Sequence, residues 1–234
     1  MIIRSTEDHL LLIAQSDHAA VAETIVGAWR RDGFSVAPRR RTVLLATRRH
    51  DDGWIDEDRS PLVDEASGRL VDFANAPDAV KQRIWPRALA LLTDAPYAGA
   101  LVAEHALHLF EAHRGDRLWR PFFAGMDAAR SGRLAAAGLE AADLQSDYFF
   151  VRIGDLLSLT FCSGWSDPQG DGEYRAQWDG ARLAVAPDPF GGVEVPLSVA
   201  ARRLPNRPFS SRHEAAAAYD AAPTVALEGV ATGP

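Results

Sequence analysis

The segment TVLLATRRHDDGW, residues 42–54, joins an apolar helical stretch to a strongly polar end. The run Val43–Ala46 favours a short helix, and Gly53 is typical of its end. His50 and Asp51 close this helix, where they follow its apolar turns. A buried charge costs free energy unless it is paired or bound to a metal. The end of this helix is therefore a candidate metal site.

Three other predicted helices also carry a polar residue on an apolar face. His18 lies on a stripe with Val21 and Ile25, and His105 shares a face with Leu101. Asp155 occupies the clearest stripe of the chain, in a helix predicted from about Ala141 to Ser163. Each of these side chains is expected to point into the core of a helical bundle.

Imidazole and carboxylate groups together are the ligands that Zn, Fe, Mn or Co prefer, and the lack of thiolates argues against a structural zinc finger. No Lys or Arg lies on these stripes to neutralise Asp51 and Asp155. A single His or Asp of this kind is usually a core residue with ordinary hydrogen bonds. Four helices that each contribute one favour a metal centre. The candidate ligands are His18, His50, Asp51, His105 and Asp155.

Strand patterns flank the helical region on both sides. Residues 1–4 and 9–13 predict a hairpin, and Asp179-Gly180 between two strand-like runs is a strong hairpin signal. We therefore predict a mainly α protein, a helical bundle with an antiparallel β-sheet built from the N- and C-terminal segments. The predicted organisation is a single compact unit, 1–234. Its helical metal-site core is 16–165, and its β subregion is 1–15 with 170–234.

The segment 54–76 reads as a long loop, and loops of this length inside compact domains are often functional. Its acidic run Asp56–Asp58 is typical of a solvated turn, without a catalytic role. Arg48, Arg49 and Arg152 lie near the candidate ligands in sequence and are the candidate cations for a substrate phosphate.

Composition excludes several classes of function. The 234 residues carry 25 Lys+Arg against 32 Asp+Glu, a net charge of −7, which argues against broad nucleic-acid binding. The single cysteine, Cys162, excludes an internal disulfide. Neither a signal sequence nor a membrane span is evident, so the expected location is cytoplasmic. Phosphate-binding loops, serine-hydrolase elbows and dinucleotide fingerprints are also absent.

The order His18, His50-Asp51, Asp155 resembles the H…HD…D signature of the HD (His-Asp) superfamily of metal-dependent phosphohydrolases. More narrowly, the blocks QSDH (15–18), HDDGW (50–54), His105 and DLLSL (155–159) resemble an uncharacterised bacterial family of unknown function. The superfamily resemblance implies a helical, HD-like core with His18, His50, Asp51 and Asp155 as ligands of a first metal. His105 resembles the extra histidines of members that bind two metals.

The resemblance implies a metal-dependent phosphohydrolase, either a phosphomonoesterase or a phosphodiesterase, with Mn, Fe, Co, Ni or Zn as one or two ions. Asp51 is a ligand that can bridge two metals, and Asp52 is either a candidate proton acceptor or a residue that caps the turn. The expected partner is a small phosphorylated molecule, with no nucleic acid, no membrane and no indication of an oligomer. Two alternatives stay open: a di-iron oxygenase of the HD type, and a non-catalytic, metal-stabilised ligand-binding or sensor module.

Overall fold

The computed structural model describes all 234 residues. They form eight α-helices, nine β-strands and three short 3-10 helices, joined by loops. The helices are α1 (Gln15–Gly27), α2 (Arg40–Arg49), α3 (Ile55–Asp58), α4 (Asp78–Ala90), α5 (Pro96–Leu109), α6 (Arg120–Ala137), α7 (Ala141–Ser163) and α8 (Arg212–Ala221). The strands are β1 (Ile2–Ser5), β2 (His9–Ile13), β3 (Leu62–Val63), β4 (Leu70–Val71), β5 (Gln169–Asp171), β6 (Tyr174–Trp178), β7 (Arg182–Ala186), β8 (Val195–Pro205) and β9 (Thr224–Thr232). None of the eight helices combines the length and apolar character that a membrane crossing requires.

Seven strands form one curled sheet, in the order β1-β2-β8-β9-β7-β6-β5. The N-terminal hairpin pairs with β8 through β2, so strands from the two ends of the chain lie side by side. All pairs are antiparallel except β7 with β9, which is parallel. The β6–β7 hairpin turns at Asp179-Gly180, where Gly180 has a φ of 102° that favours glycine.

The prediction of a mainly α helical bundle is wrong. Helices account for 49% of the chain and strands for 20%, and the seven strands curl into half of a barrel. The sequence pattern understates the sheet because β8 continues beyond Val199 through Ala and Arg residues. Such residues give weak strand signals, although the burial of β8 alternates along most of its length.

The helical layer packs directly on the sheet. Helix α7 lies against β5, β6 and β7, and the Phe161 and Trp178 rings meet edge to face at 5.1 Å. Helix α1 packs on both α7 and β8. Helices and strands therefore share one core of 49 buried apolar residues, which packs the helical layer against the sheet.

Helix α1 begins at Gln15 without a side-chain cap, and helix α6 runs without a break through Gly125 and Gly132. The prediction of a long loop needs correction. The predicted loop 54–76 contains α3 and a small β3–β4 hairpin.

The acidic run at α3 is not a solvated turn. Glu57 and Asp58 are buried, and Asp58 accepts the backbone N–H of Gln15 at 2.6 Å. Glu57 accepts bonds from Arg83, Arg87 and Arg212, at 2.8–3.1 Å. Because Arg212 belongs to α8 and the other two belong to α4, Glu57 ties both helices to α3.

We expect Glu57→Gln to lower the free energy of unfolding by about 2 kcal/mol at neutral pH, since hydrogen bonds to charged groups are worth about that much. Burial raises the Glu57 pKa, but the bonds from Arg83 and Arg212 outweigh it and hold the pKa below its ordinary value. The stabilisation is thus present above the ordinary carboxyl pKa and is lost as the pH falls below it. Thermal unfolding across pH measures both effects.

The matched control is Glu23→Gln. The Glu23 carboxylate lies 3.8 Å from Arg48 and both side chains are about 40% exposed, so its loss should have little effect. A Glu57→Gln variant with unchanged melting at neutral pH would contradict the proposed tie between α3, α4 and α8.

Candidate metal centre

Four helices bring the five candidate ligands to one place. His18 comes from α1, His50 and Asp51 follow the end of α2, His105 comes from α5 and Asp155 from α7. All five are buried, with exposed fractions between 0% and 8%. These four helices pack against one another. The polar side chains on their apolar faces therefore meet at the centre of the helical layer.

The three imidazoles direct their Nε2 atoms at the two carboxylates. His18 Nε2 lies 2.8 Å from Asp51 Oδ2 and 3.8 Å from Asp155 Oδ1. His50 Nε2 lies 3.3 Å from Asp155 Oδ1 and 3.5 Å from Asp51 Oδ2. His105 Nε2 lies 3.5 Å from Asp155 Oδ2. Asp155 therefore contacts all three imidazoles.

The opposite ring nitrogens are held by hydrogen bonds. His50 Nδ1 lies 2.7 Å from the Thr47 carbonyl, which can only accept, so this nitrogen carries the hydrogen. His18 Nδ1 lies 3.0 Å from Ser158 Oγ, whose own hydrogen goes to the Asp155 carbonyl. In the neutral form, both rings therefore have an Nε2 lone pair that faces the carboxylates.

The Nδ1 atom of His105 also has a partner, the Tyr148 hydroxyl at 3.1 Å. Partners of this kind orient metal-binding histidines in proteins. A lone pair that faces a carboxylate at 2.8–3.5 Å is repulsive unless a cation lies between the two groups.

The pKa shifts in the cluster also indicate that a cation belongs between the imidazoles and the carboxylates. Burial lowers the pKa of His50, but Asp51 and Asp155 outweigh it and raise the pKa to about 9. Burial dominates at His105 and lowers its pKa to about 4. Burial would raise the pKa of Asp51 and Asp155, yet the imidazoles hold both below the ordinary value. Without another cation, the cluster keeps a proton on His50 between two carboxylates.

The donor set fits a divalent transition metal. Two sets of three ligand atoms lie within 4.8 Å of one another: one from His18, His50 and Asp51, the other from His50, His105 and Asp155. Ligand atoms about 2.1 Å from a shared ion are at most ~4.2 Å apart, which the pairs at 2.8–3.8 Å satisfy. Three imidazoles, two carboxylates and no thiolate match Zn, Fe, Mn or Co.

A cavity of about 220 Å³ opens beside the cluster. Asp51, His105 and Asp155 form part of its wall, and eight of its thirteen lining residues are hydrophobic. Trp54 and Trp85 are among these, and the Trp85 ring meets the His105 ring edge to face at 5.8 Å. A ligand in this cavity would contact both carboxylates.

Several predicted site residues lie elsewhere. Asp52 is ion-paired with Arg49 at 2.6 Å and does not line the cavity. Arg48 bonds the Ser16 carbonyl, and Arg152 pairs with Asp171. We therefore leave Asp52 and the three arginines out of the proposed site.

Sequence reasoning missed two polar residues of the cavity wall, Gln15 and Lys81. Gln15 is the first residue of the QSDH block, so its position three residues before the candidate ligand His18 could have indicated that it lies near the site. Lys81 is the only lysine among the 25 cationic residues of the chain, a signal visible only in the composition. Its Nζ donates to the Ala74 carbonyl at 2.7 Å, and it pairs with no carboxylate.

Fold and site together define an α+β protein in which three imidazoles and two carboxylates meet beside an apolar cavity. The chain belongs to the family described as "Protein of unknown function (DUF3891)", whose family model matches residues 1–206. This confirms the resemblance to an uncharacterised family of unknown function. Comparisons with curated proteins and with solved structures gave no significant match.

Proposed function

We propose that this protein is a metal-dependent phosphohydrolase, a phosphomonoesterase or phosphodiesterase that acts on a small phosphorylated molecule. The observation that carries the proposal is the convergence of three Nε2 atoms on Asp51 and Asp155, with the Nδ1 atoms held from behind. The order His18, His50-Asp51, Asp155 supports a distant relation to the HD superfamily. The residues that would hold the metal are His18, His50, Asp51, His105 and Asp155.

A bound divalent metal would supply a Lewis acid for a phosphoryl oxygen and would lower the pKa of a water towards neutrality. The chain itself supplies the other functions. Ser158, Thr47 and Tyr148 orient the imidazoles, and Asp51 and Asp155 balance the charge of the metal. Lys81 attracts the anionic end of a substrate into the cavity. The apolar wall excludes water, which strengthens these charge interactions.

The test is hydrolysis of a panel of phosphate mono- and diesters, with the protein loaded in turn with Mn, Fe, Co, Ni or Zn. We expect turnover by the wild type and a loss of 100-fold or more in His50→Ala, because one ligand of both proposed sets is removed. His213→Ala, at an exposed position on α8, is the control and should keep full activity.

Two other results would replace the proposal. Full metal occupancy without turnover of any ester would favour a ligand-binding or sensor module. Retained iron with a visible absorption band and oxygen uptake would favour oxidative di-iron chemistry. A specific observation keeps the second candidate open: His105 completes a further set of three ligand atoms that shares His50 with the first set.

A further inference from the structure

The cavity beside the cluster has very few polar groups left for a substrate. Asp51, His105 and Asp155 belong to the proposed metal centre. Among the remaining lining residues, only Gln15, Lys81 and the indole N–H groups of Trp54 and Trp85 offer polar side-chain atoms. The rest of the wall is apolar, which is unusual for a site that would bind a sugar or a nucleotide.

Two of those polar atoms lack partners. Gln15 is 1% exposed and Trp85 is 2% exposed, and neither Gln15 Oε1 nor Trp85 Nε1 makes a hydrogen bond. A buried polar group without a partner is rare in native proteins and costs free energy. Both atoms have almost no accessible surface, so they offer few hydrogen bonds to a ligand in the cavity.

The volume sets the size of the ligand. A cavity of ~150 Å³ is large enough to hold benzene, and this cavity measures about 220 Å³. One aromatic ring with a small substituent fits the space. A nucleoside, with a base and a ribose, needs more room and more hydrogen-bond partners.

With a divalent metal balancing Asp51 and Asp155, the ammonium group of Lys81 gives the cavity wall a net positive charge, which favours an anion. Lys81 lines the cavity, and its only hydrogen-bond partner is the neutral Ala74 carbonyl. An ammonium group that no carboxylate neutralises attracts an anionic ligand. The hydroxyls of a sugar would instead meet an apolar wall and lose their bonds to water.

We infer that the substrate class is a single-ring aryl phosphate, or an ester of a comparably small apolar alcohol, rather than a sugar phosphate or a nucleotide. Its ring lies against the tryptophan-lined wall, and its anionic group is attracted by Lys81 and the proposed metal centre. This inference rests on the proposed function, since it names the organic part of the ester that would be cleaved.

The test is calorimetric titration of the Mn-loaded protein with three phosphonates, which cannot be hydrolysed. Phenylphosphonate carries the ring, methylphosphonate lacks it, and 3-hydroxypropylphosphonate carries a polar chain. We expect phenylphosphonate to bind at least tenfold more tightly than the other two, because only its ring buries substantial apolar area. Equal affinities, tighter binding of the hydroxypropyl compound, or no binding of any phosphonate would overturn the inference.

Three variants test whether the cavity wall causes the preference for phenylphosphonate over the other two phosphonates. Leu109 lines the cavity and is 48% exposed, so Leu109→Gln should reduce the phenyl preference several-fold with little risk to folding. Leu118→Gln, at a position 75% exposed outside the cavity, is the matched control and should leave the preference intact. Lys81→Met should weaken the binding of phenylphosphonate and the binding of methylphosphonate by similar factors. An unchanged phenyl preference in Leu109→Gln would place the ring elsewhere and contradict the inference.

Failure of this inference can be told apart from failure of the proposed function. Selective phenylphosphonate binding without turnover of any ester would refute the hydrolase and leave the ligand class standing. Turnover of sugar phosphates without any phenyl preference would refute the ligand class and leave the hydrolase standing.

Discussion

Asp155→Asn is expected to lower the melting temperature of the metal-loaded protein by about 10 °C and to change the metal-free protein far less. Metal that binds only the native state stabilises it by RT ln(1 + [L]/Kd), which is about 4 kcal/mol when free metal is ~1,000 Kd. For a chain of this size, 1 kcal/mol corresponds to roughly 2–4 °C. Asp155 contacts all three imidazoles, so its loss should remove most of this stabilisation.

The metal-free state is less sensitive because Asp51 stays beside the His50 and His18 imidazoles when Asp155 is neutralised. An asparagine oxygen can still accept a hydrogen bond from a protonated imidazole. Two carboxylates in one buried site also repel each other, so the removal of one charge partly offsets the lost ion pairs.

The matched control is Asp147→Asn on the same helix. Asp147 is also buried, but it pairs with Arg39 and accepts the Tyr97 hydroxyl at 2.7 Å, away from the cluster. Its substitution should lower the melting temperature equally with chelator and with excess Mn. The same condition-independent loss in Asp155→Asn would make Asp155 a structural residue and would contradict its assignment as a ligand.

Gly53→Ala is expected to destabilise the protein by about 3 kcal/mol, at the upper end for overpacking a tight contact. A Cβ at Gly53 would lie 2.0 Å from the Ile84 carbonyl oxygen and 2.7 Å from its carbon, both backbone atoms of α4. Either the turn that follows Asp51 or helix α4 must move. Helix α4 carries Lys81, Ile84 and Trp85 of the cavity wall, so the cavity should be disturbed as well.

Gly132→Ala is the matched control for this substitution. Gly132 lies inside α6 with no atom within 4 Å of its would-be Cβ, and alanine favours helices by up to ~1 kcal/mol over glycine. This variant should therefore be neutral or slightly stabilised. Chemical denaturation of both variants measures the difference, and equal stabilities would show that the contact between Gly53 and α4 is not tight.

The sequence predicted which residues meet better than it predicted the fold class. Helical spacing places a polar side chain on an apolar face, and helices that share a core bring such faces together. His18, His105 and Asp155 were found in this way. The sheet was underestimated because β8 passes through Ala200 and Ala201 into arginines, and because β9 inserts between β7 and β8 by a pairing that no local pattern encodes.

Residues whose roles depend on distant partners were missed. Glu57 looked like part of a solvated turn because Arg83, Arg87 and Arg212 lie up to 155 positions away in the chain. Lys81 reaches the cavity only because α4 packs on the turn that contains Gly53. Contacts of this kind are set by helix packing, which spacing along the sequence does not specify.

Metal content tests the central claim most directly. The wild type, purified without added metal and then titrated with Mn, Fe or Zn, should bind one or two ions per chain by elemental analysis. His50→Ala and His18→Ala should each lower the metal content sharply, whereas His105→Ala should lose the second ion where two bind and weaken the first only mildly. The exposed His213→Ala should match the wild type. Wild-type metal content in both His50→Ala and His18→Ala, or a wild type that binds no metal, would contradict the proposed centre.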